Sequence, residues 1–132
     1  MGSSHGVICQ ACGTAFRAFG GGGFFFDLLH CDQCGEAKSA SHQELGDIHL
    51  GFVKGLPGPY AVSRSALDQR IKEGFMGPVL TGEEYRAAAE ESIEPCSCGG
   101  RFRYDAAPRC PTCRSTAERW EPDPSAGMAL YD

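Results

Sequence analysis

The sequence predicts a small α+β protein in which two cysteine-clamped β-hairpin modules, one near each end, flank a short two-helix middle segment. Three observations carry that expectation. Eight cysteines fall into four tight pairs, Cys9/Cys12, Cys31/Cys34, Cys96/Cys98 and Cys110/Cys113, with none left over. Apolar residues repeat at helical spacing from Leu67 to Ile93. The 132 residues include 18 glycines and 8 prolines, which favours small satellite folds over one large core. The expected order is a flexible N-terminus over 1–6, an N-terminal cysteine module over 7–35, a linker and helical segment over 36–95, a C-terminal cysteine module over 96–119 and a flexible acidic tail over 120–132.

Cys9-Gln-Ala-Cys12-Gly13 is answered nineteen residues after Cys12 by Cys31-Asp-Gln-Cys34-Gly35. Two such pairs brought together by a hairpin form the tetrahedral sulfur cage that zinc or iron takes. Cys96-Ser-Cys98-Gly99 and Cys110-Pro-Thr-Cys113 repeat the arrangement across an 11-residue loop. The residue after the second cysteine of such a turn often needs a positive φ, which glycine supplies at no steric cost. Gly13, Gly35 and Gly99 meet that need, whereas Arg114 departs from it and Pro111 stiffens its turn from within. The Cys96-x-Cys98 pair is one residue shorter than the others.

In these spacings residues 9–35 and 96–114 resemble zinc ribbons and rubredoxin-like knuckle proteins. The resemblance implies two structural metal sites with all eight cysteines as ligands. It implies little about function, because zinc ribbons serve in transcription and translation factors, enzyme subunits and adapters. The middle segment carries no comparable signature. No signal peptide with an apolar core opens the chain, and Cys-x-x-Cys pairs in an intracellular protein favour metal over disulfides. Zn2+, two per chain, is the expected cofactor, iron being less favoured because a structural role needs no redox partner. Sequential pairing, each module holding its own ion, is preferred because sequential hairpins close with less chain entropy. Sharing of each ion by one pair from either end also fits the spacing.

Charge differs by region: −1 over residues 1–35, −4 over 36–95, +3 over 96–119 and −3 over 120–132. Eight thiolates and two dications would lower the net charge of −5 to about −9. A molecule that acidic is a poor generic ligand for nucleic acid.

Met1 to Gly6 reads as a flexible start in which His5 is disordered; Gly6 stands where an N-myristoylation pattern wants Ser or Thr. Val7 and Ile8 form a short strand entering the first turn. Thr14–Phe19 and Phe24–Leu29 are expected as a hairpin joined by Gly20–Gly23. Both faces of its second strand are largely apolar, one suited to packing and the other to a partner. The glycine run is no phosphate loop, since no Lys-Ser/Thr follows. His30 reads as a strand residue. His42, Asp47 and His49 lie close enough to suggest a third metal site or an acid/base pair, although isolated histidines beside turn residues more often pack. Ser65 is expected to cap a helix bearing Leu67, Ile71 and Phe75. Thr81-Gly-Glu-Glu84 is a capping box opening a second, with Tyr85, Ala88, Ala89, Ser92 and Ile93 on one face and glutamates on the exterior.

Arg101-Phe102-Arg103-Tyr104 alternates arginines with aromatics, and Arg109, Arg114 and Arg119 extend the basic set. Charge interleaved with rings is what single-stranded nucleic acid binds, whereas arginines pairing with the acidic helices is the plainer reading. In the tail, Trp120 is the candidate anchor. No Ser/His/Asp arrangement, nucleophile elbow or HExxH motif is present, and a four-thiolate site leaves no open position for substrate. The expected function is therefore a non-enzymatic, cytoplasmic zinc-binding adapter or accessory protein that docks on a larger protein through Phe24–Phe26 and Trp120, with no membrane contact. The alternatives are a nucleic-acid-binding ribbon using Arg101, Arg103, Arg109 and Arg114, and a rubredoxin-like iron electron carrier.

Overall fold

The computed structural model describes residues 2–132. In chain order its elements are β1 (Gly2–Cys9), β2 (Ala15–Gly20), β3 (Phe26–Cys31), β4 (Ala37–Ser41), α1 (His42–Leu45), α2 (Asp47–Gly55), α3 (Ser65–Gly74), α4 (Gly82–Ser92), β5 (Phe102–Arg103), β6 (Trp120–Pro122) and β7 (Met128–Tyr131). They divide into two units, one from the two ends of the chain (up to Ala40 and from Glu94 onward), the other from Ser41–Ile93.

In the unit built from the chain ends, β1 is flanked on both sides. β2 pairs with it antiparallel from Ser3↔Gly20 to Ile8↔Ala15. The opposite edge is shared by β6, against Val7–Cys9, and β7, against Gly2–His5. The chain passes from β6 to β7 through a turn at Asp123–Gly127, where the Asp123 N–H donates to the Gly6 carbonyl and the Gly6 N–H to the Gly127 carbonyl, both at 2.9 Å. Gly6 is required at this crossing, because a Cβ there would lie 2.2 Å from the Ala126 Cβ. The Arg17 guanidinium ties the corner down by donating to Ser4 Oγ and to the Ala126 and Gly127 carbonyls.

These pairings correct two expectations. The N-terminus is strand from Gly2 onward, with His5 inside it; Met1 lies outside the described residues. The tail over 120–132 is not a flexible arm, since β6 and β7 occupy one edge of β1. Both segments are too short to display alternation, so only the edge offered by β1 reveals them. The Gly20–Gly23 hairpin is also overturned. β2 belongs to the first sheet, while β3 lies in a second, ordered β4-β3-β5, with His30↔Arg103 and Cys31↔Phe102 in register. The glycine run is therefore a crossover between sheets, leaving β2 as an edge strand paired with β1 alone among the described strands.

The unit formed by Ser41–Ile93 holds four helices where two were expected, the apolar run from Leu45 to Val53 supplying α1 and α2. Leu45, Val53, Tyr85 and Ala89 are buried, and Phe52 stacks on Tyr85 with centroids 4.4 Å apart. α3 is rotated from its expected setting: Arg64 occupies the cap position without a side-chain cap to the helix N-terminus, Leu67 is 44% exposed, and the buried residue is Asp68. Asp68 wins that place because its carboxylate accepts the N–H groups of Tyr60 and Ala61 and pairs with Arg64 at 3.4 Å, anchoring the preceding loop. His42 and His49 are also buried, their rings stacked at 3.6 Å, with Arg64 3.0 Å from His42 Nδ1 and Tyr85 3.5 Å from His49 Nδ1. They form a packed pair, and Asp47 joins no candidate cluster of metal ligands among the described residues.

The capping box is present in both directions: Glu84 N–H donates to Thr81 Oγ1 at 3.2 Å and Thr81 N–H to Glu84 Oε1 at 3.0 Å. Bonds from the Thr81 backbone and hydroxyl hold the Glu84 carboxyl below its ordinary 4.5. A depressed carboxyl adds stability above the unfolded value and loses it as pH falls through the folded one. Helix signal from α4 should therefore fall in acid below about pH 4.5, as read by residue-resolved NMR. Thr81→Ala should cost about 1 kcal/mol at neutral pH and lessen that acid dependence, the Thr81 backbone N–H bond to Glu84 being retained.

Among the described residues no helix is long and apolar enough to cross a membrane.

Candidate metal centres

Each cysteine pair sits on a tight turn built in the same way. The carbonyl of the first cysteine accepts the N–H of the residue after the second: Gly13 to Cys9 at 2.7 Å, Gly35 to Cys31 at 3.0 Å, Gly99 to Cys96 at 2.9 Å and Arg114 to Cys110 at 2.9 Å. The N–H of the first cysteine in turn donates to the carbonyl one residue further on, at Thr14, Glu36, Gly100 and Ser115. All four residues after the second cysteine have positive φ, between 62° and 94°, and Arg114 is the non-glycine among them. The shortened Cys96-x-Cys98 turn keeps both bonds. Placing an L-residue in the left-handed region costs about 1 kcal/mol, so Arg114→Gly should raise unfolding free energy by about that much in denaturant titrations of the metal-loaded protein. The Arg109 bond to the Arg114 carbonyl would survive the change.

The turns meet across the chain ends. Cys9 and Cys12 face Cys110 and Cys113, with sulfurs 3.6 Å apart in Cys9/Cys113 and 3.5 Å apart in Cys12/Cys110. Cys31 and Cys34 face Cys98 and Cys96 at 3.4 and 3.7 Å. Within each tetrad all four sulfurs lie within 4.8 Å of one another. The eight cysteines are free thiols. A disulfide needs about 2.05 Å, whereas a tetrahedron with metal–sulfur bonds of about 2.3 Å has edges of about 3.8 Å. The sulfur spacing fits a metal ion. These two groups can hold metal, and their composition corrects the preferred sequential pairing: each tetrad takes one pair from either end, so no separate N- and C-terminal modules form.

The strand pairings explain the arrangement. β1 carries Cys9 into the first tetrad, and its partner β6 is the next strand after the Cys110–Cys113 turn. β3 ends in Cys31 and pairs with β5, which follows the Cys96–Cys98 turn. Asp32 fixes the second contact by accepting the Arg101 N–H at 2.9 Å and pairing with Arg103 at 3.1 Å. These same bonds hold the Asp32 carboxyl below its ordinary range. Gly100 lies against the sulfurs, and a Cβ there would sit 2.5 Å from Cys31 Sγ.

The sulfurs differ in environment. The Ser115 hydroxyl, 3.0 Å from Cys9 Sγ, leads the effects that bring the Cys9 thiol down to about 6 against the opposing effect of burial. The Gly100 backbone N–H brings Cys98 down to about 7. The Cys98 backbone N–H also lowers Cys96. Burial, the Glu36 carboxyl 3.3 Å away and the neighbouring sulfurs outweigh it and push Cys96 up to about 12. Burial also raises Cys34. Sequence reasoning passed over Thr14, Glu36 and Ser115. Their signal was positional, since each stands two places after the second cysteine of its pair.

A family model described as a domain of unknown function (DUF8255) matches residues 5–119, which include all eight cysteines. The chain belongs to that family. No curated protein and no solved structure matches it. In this DUF8255 member the matched segment runs from β1 through the last residue before β6, so it takes in both tetrads and the whole helical unit.

Proposed function

We propose that this DUF8255 protein is a non-enzymatic, intracellular zinc-binding adapter whose two ions, held by Cys9, Cys12, Cys110 and Cys113 and by Cys31, Cys34, Cys96 and Cys98, fasten the chain ends into a surface for a larger protein partner. The observation that carries this reading is the closure of both tetrads, four sulfurs at tetrahedral spacing, a set that structural zinc fills without an open position for water or substrate. Ligation by thiolates requires reduced cysteine and so a reducing compartment, the cytoplasm being the simplest.

Of the residues expected to touch a partner, Phe25 is 62% exposed. Trp120 instead serves the fold: its ring meets Phe16 edge-on at 4.9 Å and its indole N–H donates to Ser115. The nucleic-acid reading loses two of its groups, because Arg103 pairs with Asp32 and the Tyr104 hydroxyl donates to Asp27 at 2.7 Å.

Elemental analysis and a visible spectrum of protein purified without chelator test the metal. Two zinc per chain and no colour are expected; iron with charge-transfer bands would move the protein to electron transfer. A partner that co-purifies with the native chain and is lost from Phe25→Ala, while both zinc ions are retained, would support docking. Unchanged capture by that variant would remove Phe25 from the contact.

A further inference from the structure

Between the two sheets of the unit built from the chain ends lies an open hollow of about 450 Å³, walled by Phe19, Phe26 and Tyr131 with Leu28, Ser39 and Asp132 around it. Three aromatic rings share one small space. Phe26 and Tyr131 have centroids 5.9 Å apart with planes 25° from parallel, and Phe19 is tilted 55° to Tyr131 at 6.3 Å. The Tyr131 hydroxyl donates to the Gly20 and Gly21 carbonyls at 2.9 and 2.7 Å, which fixes its ring in place. Phe19, a large apolar side chain on the outer strand β2, is left 39% exposed.

The charge of the lining has one sign. Asp132 is its charged residue, while Lys38, between the lining residues Ala37 and Ser39 on β4, belongs to the opposite face of that strand by alternation. Ring faces are also electronegative, so walls and rim both favour a cation. A primary ammonium brings three N–H donors that need acceptors. Beyond the Tyr131 hydroxyl, which is engaged with the Gly20 and Gly21 carbonyls, the side-chain acceptors of the lining are the Ser39 hydroxyl and the Asp132 carboxylate, too few to replace its hydration. A methylated ammonium has no donors to satisfy and matches both the apolar wall and the charge.

We propose that this hollow binds a trimethylammonium group, held against the faces of Phe19, Phe26 and Tyr131 with Asp132 as counter-charge. The site is separate from the cysteine tetrads and does not depend on which metal fills them.

The test is an NMR titration of the metal-loaded protein, as purified, with choline and with 3,3-dimethylbutan-1-ol, which has the same shape without the charge. Choline should move the amide signals of Gly20, Gly21 and Tyr131 saturably, with a Kd in roughly the millimolar range. The neutral analogue should bind about tenfold more weakly. Phe19→Ala should weaken choline by about tenfold while leaving amide signals remote from the hollow in place, and Asp132→Asn should weaken choline but not the alcohol. Equal binding of the two probes, scattered unsaturable shifts, or choline binding unchanged in Phe19→Ala would each overturn the proposal. Acetylated trimethyllysine amide, run in parallel, reports the source of the group: tighter binding than choline assigns a methylated protein, equal binding a free small molecule.

Discussion

Replacing Cys9 and Cys12 together by serine is expected to cost one of two metal ions, and replacing Cys110 and Cys113 as well is expected to cost no more. Both pairs serve one tetrad. Combining the Cys9/Cys12 change with Cys96→Ser and Cys98→Ser should instead empty both sites. Pairing within each end would instead make the first quadruple variant lose both ions, because Cys9/Cys12 and Cys110/Cys113 would then belong to different sites, while the second would empty both sites under either pairing. Elemental analysis of the variants separates the cases without a structure, because the readout is a stoichiometry. A structural Cys₄ site contributes on the order of 10 kcal/mol to folding, several times the change from a single ordinary substitution. The double variants should therefore also unfold near their damaged tetrad, and folded-state NMR signals from β1 and β6 should be the first lost.

Stripping both ions with a strong chelator is expected to release the two chain ends together. β1 is held by β6 next to the Cys9 tetrad and β3 by β5 next to Cys31. Each pairing rests on a cysteine tetrad rather than on a large core, because the buried set in this unit is small and includes the cysteines themselves. Trp120 gives a convenient report. It packs on Phe16 and bonds to Ser115, whose hydroxyl touches Cys9 Sγ, so chelation should shift its emission to longer wavelength. The shift should reverse on adding zinc back. Emission unchanged by complete metal removal would show that the strands hold without the ions. The helical segment Ser41–Ile93 contains no cysteine, so its far-UV helix signal should outlast the change at Trp120.

The ligand residues were legible because Cys-x-x-Cys is local chemistry: two sulfurs on one turn need only nearby backbone, and all four turns are built as their spacing implies. Arg114 shows the strength of that local demand, adopting φ of 62° where glycine was expected. The Thr81–Glu84 capping box was legible for the same reason, a side chain reaching the N–H three residues away. The setting of α3 was not. Its Leu67/Ile71 spacing suggested a core stripe, but the buried position went to Asp68, whose partners Tyr60 and Ala61 stand on a loop that periodicity does not describe.

The sequence by itself determined the donor set, the number of tetrads and the presence of helices between them, since all three depend on contacts within a few residues. Only the tertiary structure decided which pairs share a tetrad. The chain-entropy argument favoured sequential closure, yet closing Cys12 onto Cys110 instead of Cys31, 98 positions away against 19, costs only about 1.5 kcal/mol more. Strand pairing of Cys9 with Trp120 and of Cys31 with Phe102 outweighs that difference. Loop closure grows only logarithmically with length, whereas each added strand brings a row of backbone hydrogen bonds, so the two ends of the chain close on each other.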